Sequence, residues 1–529
     1  MNPRISLLLL LPALVASACK AQPALWGTRP TPTARAVAGY AAAPDRPLNV
    51  PTAGRQAAAA ITVLPPFPSK TPVVAKAGQQ PSATPTLLPT PDSPPILYYA
   101  QSGDTLAAVA SRFGVQEREI TSAVSLPKSG LIDPGTLLVI PDRLVEVGPN
   151  AQIIPDSEVI FSTTAADFDT LAYVAEAGGE LSKYREYLNS TGWETGAGII
   201  DRLAHENSIN PRLLLGLLDY QGHWVTGVPD NFLKRTYPMG YQKEFKDGIF
   251  SQMVWAVNQL SKGYYGWRSG TLTQLTFRDG LTLRLSPDLN AGSVAVQYLF
   301  SQLYTRAEWE HVLDPNTGFP ARYAEQFGDP WLRAQNAGPI FPPGLTAPTL
   351  VLPFEPDREW SFTSGPHGAW LPEGPLAAVD FAPVTDHSGC VESEKWIVAA
   401  ASGLVVRSNK GVVVLDLDGD GHEETGWILL YLHVATKDRV KAGVWVEQDE
   451  RIGHASCEGG ASTGTHLHFV RKYNGEWVLA EGAFPLVLSG YTVHAGERPY
   501  EGTMTKGDTT IIANPFGTAS SVIYRKADE

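Results

Sequence analysis

At 529 residues the chain is too long for one ordinary core, so two to four domains are expected. A formal net charge of −13 argues against a nucleic-acid partner, which would require a basic face. Hydrophobic content of 43% and charged content of 18% suit globular domains, whereas 43 prolines call for linkers between them.

Met1-Asn2-Pro3-Arg4 and the apolar run from Ile5 to Val15 read as an export leader, too short to span a bilayer. Ala16-Ser17-Ala18-Cys19 closes it with small residues and a cysteine. This ending resembles a bacterial lipobox, which implies lipidation of Cys19 and attachment of a cell-surface lipoprotein to the membrane. Ala16 stands where Leu is commoner, so plain cleavage and secretion is the alternative. Residues 20–95 are rich in Pro, Ala and Thr, without hydrophobic periodicity, and read as a disordered spacer.

Residues 96–144 change character. The stretch from Tyr98 to Leu106 gives a short strand, a turn and a helix start with Asp104 as the expected cap. Leu106, Val109, Ala110 and Phe113 follow at helical spacing, a second short helix is expected around Ile120, and Asp133-Pro134-Gly135 leads into a strand. The pattern resembles a βααβ LysM module, which implies binding to the N-acetylglucosamine backbone of peptidoglycan or chitin. Ser122-Ala123-Val124 stand where that family usually has an Asn, and a βααβ spacer without ligand is the plainer reading.

Residues 155–345 read as mainly helical. Asn210-Pro211 is a helix start followed by an apolar face of Leu213, Leu214, Leu217 and Leu218. Phe250, Met253, Val254, Val257 and Leu260 repeat the spacing, and Gly263-Tyr264-Tyr265-Gly266-Trp267 is expected to end that helix. The segment from Ala204 to Gly222 is faintly similar to lysozyme-like transglycosylases. Gln221 stands near the place of their catalytic Glu and cannot donate a proton, and Glu206 on an exposed turn reads as a solvated charge. A non-catalytic helical domain is therefore expected.

From residue 346 to 529 the pattern becomes β. Trp396–Ala400, Leu404–Arg407, Val412–Leu415, Arg439–Gly443 and Arg451–His454 read as short strands of a mainly antiparallel sheet or small sandwich. In Thr465-His466-Leu467-His468-Phe469 alternate residues share one strand face, so the two imidazoles project together. Upstream stand His367, Asp380 and His433, the last closing the run from Trp427 to Leu432. Two imidazoles and a carboxylate with a fourth position left to water form an ordinary catalytic zinc set. The order His, Asp, His, His-x-His resembles the zinc endopeptidases of the lysostaphin/LytM type, with spacing similar to the staphylolysin and β-lytic branch, over residues 346–500. The resemblance implies that His367, Asp380 and His468 bind one Zn2+ and that His433 and His466 act as the catalytic pair. It further implies hydrolysis of peptide stems or cross-links in peptidoglycan. A non-enzymatic cell-wall scaffold or activator is the alternative, although relatives of that kind usually lack a ligand. The remaining histidines carry the ordinary structural reading, with His387 the nearest substitute.

Setting Cys19 aside leaves Cys390 and Cys457, which can pair in an oxidising compartment or remain buried thiols. Asp416, Asp418 and Asp420, with Gly421 sixth, resemble the opening of a Ca2+ loop, but Trp427 stands where the bidentate Glu belongs. An acidic hairpin turn is the alternative.

Overall fold

The computed structural model describes residues 94–384 and 389–527. The leader, Cys19, nearly all of the spacer and His387 lie outside them. Among the described residues no helix is long and apolar enough to cross a membrane.

Strand Ile96–Tyr99 pairs antiparallel with Leu137–Ile140, and helix Leu106–Phe113 closes a small core of Tyr98, Val109, Phe113, Ile120 and Leu138. Its cap differs from expectation: Thr105 accepts from the Ala108 amide, while Asp104 is buried, taking bonds from Arg112 at 2.6 Å and Tyr98 at 2.7 Å. A buried carboxylate needs such partners, so it is unavailable as a cap. The second helix shrinks to one 3₁₀ turn, Glu117–Glu119, because Thr121 is drawn at once into a bridge with Val139.

The middle region is helical, with two small hairpins, Arg185–Leu188 with Gly192–Thr195 and Gln274–Thr276 with Thr282–Arg284. Asn210 caps helix Pro211–Gly222 by accepting from the Arg212 amide. Helix Ile249–Arg268 runs through the glycine-bearing stretch expected to stop it. Gly263 instead permits close packing of helix Ala291–Ser301, since a Cβ there would stand 2.7 Å from Ala295 Cα.

The C-terminal region is organised by one antiparallel sheet. Its strands run in the order Trp445–Val446, Gly403–Asn409, Val412–Asp416, Trp427–Leu432, Leu467–Tyr473, Leu376–Pro383, Trp360–Gly368 and Val522–Ile523. Alternation sends Val379, Phe381, Leu429, Tyr431, Leu467 and Phe469 into one core. Ala378, Val412, Leu430, Leu432 and Val470 face the other side, where Trp477 and Tyr265 of the long helix cover part of them. Arg439–Gly443 is not a strand: positive φ at Asp438 and Gly443 turns the chain, leaving isolated bonds from the Val440 amide to Ile452 and from the Gly443 amide to Val405.

Polar contacts seat the helical region on that second face. Ser208 Oγ donates to the Gly475 carbonyl at 2.6 Å, Trp477 Nε1 to Asn207 at 3.1 Å, and buried Arg268 pairs with Glu476 at 3.0 Å and Asp156 at 2.9 Å.

Candidate metal centre

Strand register builds the site. Leu432 lies opposite His468 and His468 opposite Asp380, and residues directly opposed across antiparallel strands share a face. His367 lies opposite Ala378 after an irregularity in the Trp360–Gly368 strand, which brings its ring to the same face beside Asp380. His433 follows the Trp427–Leu432 strand with φ of 69°, a left-handed conformation that turns it out of the ladder. His466 bridges to Ser456 just before the Leu467–Tyr473 strand. The structure thus gathers His367, Asp380, His468, His433 and His466 into one cluster.

Its geometry is tight. His367 Nε2 lies 3.2 Å from Asp380 Oδ1, His468 Nδ1 lies 3.2 Å from the same oxygen, and the two ring nitrogens are 3.1 Å apart. The far nitrogens are engaged elsewhere: His367 Nδ1 meets the Gly365 carbonyl and His468 Nε2 the Ala369 carbonyl, each at 2.9 Å. Donating to those carbonyls fixes the tautomers, so each ring turns a bare lone pair toward the other. His433 and His466 stand with ring centres 4.4 Å apart, and His466 Nε2 is 3.8 Å from Asp380 Oδ2. Their Nδ1 atoms are tied in the same way, His433 to the Glu458 carbonyl and His466 to that of Gly464, both at 2.8 Å.

Burial and charge act against each other here. Burial opposes ionisation of Asp380, yet His367 and His468 hold its carboxyl well below the usual range. Burial weakens the His367 imidazolium, but Asp380 outweighs it and raises the pKa. His468 is lowered by burial, and burial together with His466 pushes His433 down to about 3.

Two observations bear on whether this donor set fits a metal ion. Asp380 Oδ1 is buried and has no hydrogen-bond partner among the described residues. Two imidazole lone pairs converge on it, and such a triad is self-repelling without a cation among its atoms. Two nitrogens and one carboxylate oxygen, each held by an outer carbonyl or a strand, fit zinc.

Tyr500 completes the surroundings and was not foreseen. It stacks on His367 with ring centres 4.6 Å apart and 20° between planes. Its backbone is bonded on both sides to the His367 strand, to Gly365 at 2.8 Å and Pro366 at 3.1 Å. No spacing rule links a tyrosine in this distant loop to the histidines. Cys390 and Cys457 form a disulfide with Cα atoms 5.6 Å apart.

The acidic stretch is a hairpin turn between strands Val412–Asp416 and Trp427–Leu432. Asp416 accepts from the amides of Asp418, Gly419 and Gly421, and Asp420 from the His422 amide and Thr425 hydroxyl. Those oxygens serve the turn itself, as the hairpin alternative describes. In the helical region Gln221 accepts from the Tyr304 hydroxyl at 2.7 Å, and Glu206 is paired with Arg202 at 2.7 Å.

Comparison with known families divides the chain in three. Residues 98–141 match the LysM domain, 152–339 the LasA N-terminal domain, and 387–479 peptidase family M23. The last match contains His433, His466 and His468, while His367 and Asp380 precede it. Protease LasA of Pseudomonas aeruginosa strain UCBPP-PA14 is 27% identical over 361 residues, covering 65% of this chain and 79% of that protein. The strain PAO1 protein is 26% identical over 356 residues with the same coverage. The solved structure "A Novel M23 Metalloprotease Pseudoalterin from Deep-sea" is 21% identical and covers 32% of this chain and 96% of its own, with a TM-score of 0.26.

Proposed function

From a chain that carries a peptidase family M23 domain and a LysM domain, and that is homologous to protease LasA, we propose an exported zinc metalloendopeptidase. Its substrate is the peptide stems or cross-links of peptidoglycan, with the LysM domain holding the glycan and so raising the local substrate concentration. Attachment to the membrane through Cys19 belongs to the same proposal. The observation that carries the reading is the convergence of His367 Nε2 and His468 Nδ1 on the orphaned Asp380 Oδ1, each 3.2 Å away.

These three residues would hold the ion. Bound there, zinc supplies polarisation of the peptide carbonyl and lowers the pKa of a water toward neutrality. His433 is neutral at ordinary pH, and with Nδ1 tied to the Glu458 carbonyl its Nε2 lone pair is open to accept the proton of the attacking water. His466, fixed in the same way, presents Nε2 to the same space, 3.8 Å from Asp380 Oδ2, where it can relay the proton taken from the water to the leaving amine.

The roles separate experimentally. His367→Ala, Asp380→Ala and His468→Ala are expected to lose zinc by metal analysis. His433→Ala and His466→Ala are expected to keep it while turnover falls by roughly 10²–10⁴-fold. Mass spectrometry of digested peptidoglycan should show new peptide ends with wild type and none with His466→Ala. Identical fragments from the two would overturn the assignment.

A further inference from the structure

A cavity of about 620 Å³ opens between helix Gly196–Asn207 and strands Gly403–Asn409 and Val412–Asp416, and none of the five residues of the metal centre lines it. Val412, in its wall, stands opposite Leu432, which stands opposite His468. The cavity therefore lies on the same sheet face as the metal centre, two strands or about 10 Å away.

Its charges do not balance. Each cation is already taken: Arg202 by Glu206 at 2.7 Å, Arg407 by Glu423 at 3.1 Å, and Lys410 by Glu194 at 3.2 Å. Two further lining carboxylates, Asp201 and Glu424, are met at ion-pair distance only by His205 at 3.7 Å and His422 at 3.8 Å among the described residues. Glu423 supplies an independent sign. It is only 6% exposed, yet its Oε1 has no hydrogen-bond partner among the described residues. His205 Nε2 is 3.6 Å from it, beyond hydrogen-bond reach, and the buried Lys472 ammonium stands 3.8 Å from the other oxygen, Oε2, leaving Oε1 open to the cavity. A buried acceptor facing a cavity with surplus negative charge calls for a donor that is also a cation. Among the described residues no Phe, Tyr or Trp lines the walls to stack a sugar, whereas Leu171, Val406 and Val412 offer apolar surface for an aliphatic stem.

We propose that this cavity is a second binding site that takes the side-chain ammonium group of a lysine-like residue in a peptide, with Glu423 Oε1 as its buried acceptor. An ammonium brings three donors and a compact charge, matching one orphaned oxygen and two unbalanced carboxylates. The site rests on the proposed function only in taking that peptide to be part of the substrate.

Calorimetric titration of the full chain with Nα-acetyl-lysine amide tests it, with the Nε-acetylated form as the neutral counterpart. The charged amide is expected to bind at least about tenfold more tightly than the neutral one. Asp201→Asn and Glu423→Gln should each remove most of that preference. Circular dichroism reports whether Glu423→Gln folds, and half-exposed Asp201 can be changed without emptying a core. His468→Ala should bind the charged amide as wild type does, so failure of peptidoglycan cleavage and failure of this site are read separately. Equal affinity for the two amides, or an undiminished preference in folded Asp201→Asn, overturns the proposal.

Discussion

Tyr500 lies nearly flat on His367, a ring already fixed at Nδ1 by the Gly365 carbonyl. A partner that fixes the orientation of a ligand typically changes metal affinity by about 10–100-fold when removed. Tyr500→Ala is therefore expected to weaken zinc binding within that range in competition with a chelator, while Tyr500→Phe, which keeps the stacked ring, stays near wild type. Equal loss in both would assign the effect to the hydroxyl instead. At this scale the sequence was informative for one physical reason. A strand forces alternate residues to one face, so His466-x-His468 and the strand contexts of His367 and Asp380 could be read without coordinates. Tyr500 could not, because its position depends on a loop bonding to a strand far away in the chain. The positive φ of His433 likewise comes from the turn at the end of its strand and not from its own residue type.

The hairpin joining Val412–Asp416 to Trp427–Leu432 shows how an element can be legible while its purpose is not. Its acidic pattern fixed the turn, but nothing local indicated that Glu423 beyond it would be buried against Arg407, Lys472 and a helix carrying His205. Burial works against the Glu423 carboxylate, yet Arg407 and Lys472 pull its pKa down from 4.5 to about 2. A depressed folded value stabilises the protein above the unfolded pKa and is lost as pH falls toward the folded one. The full contribution is on the order of 3 kcal/mol. The stability advantage of wild type over Glu423→Gln in denaturant titrations should therefore shrink by about 2 kcal/mol between about pH 6 and pH 3. An advantage constant over that window would mean that the carboxylate is not held by those cations. Helix Ile249–Arg268 carries the same lesson: Gly263 looked like a terminator and serves close packing, which only the neighbouring helix reveals.

Across the whole molecule, three regions could be told apart by composition and period, but their mutual seating could not, since it rests on single residues with no pattern in sequence. Arg268 is the centre of that seating. It ends the long helix, is buried, and reaches Glu476 on the sheet, Asp156 ahead of the helices, and the Ser102 carbonyl of the LysM region. Glu476 also accepts from Tyr264 at 2.7 Å, and the next residue, Trp477, donates to Asn207. Removing one member of a buried ionic set strands the others without compensation, at a cost of about 3–5 kcal/mol. Arg268→Met should therefore lower stability by that amount although it touches none of the three proposed zinc ligands, and zinc content at moderate temperature should be unchanged. Because the stranded carboxylates belong to both the helical region and the sheet, calorimetry should show both losing stability together. If instead only a helical transition moved and the sheet melted as in wild type, the two would be independent bodies. The cavity that lies between them would then have no fixed walls.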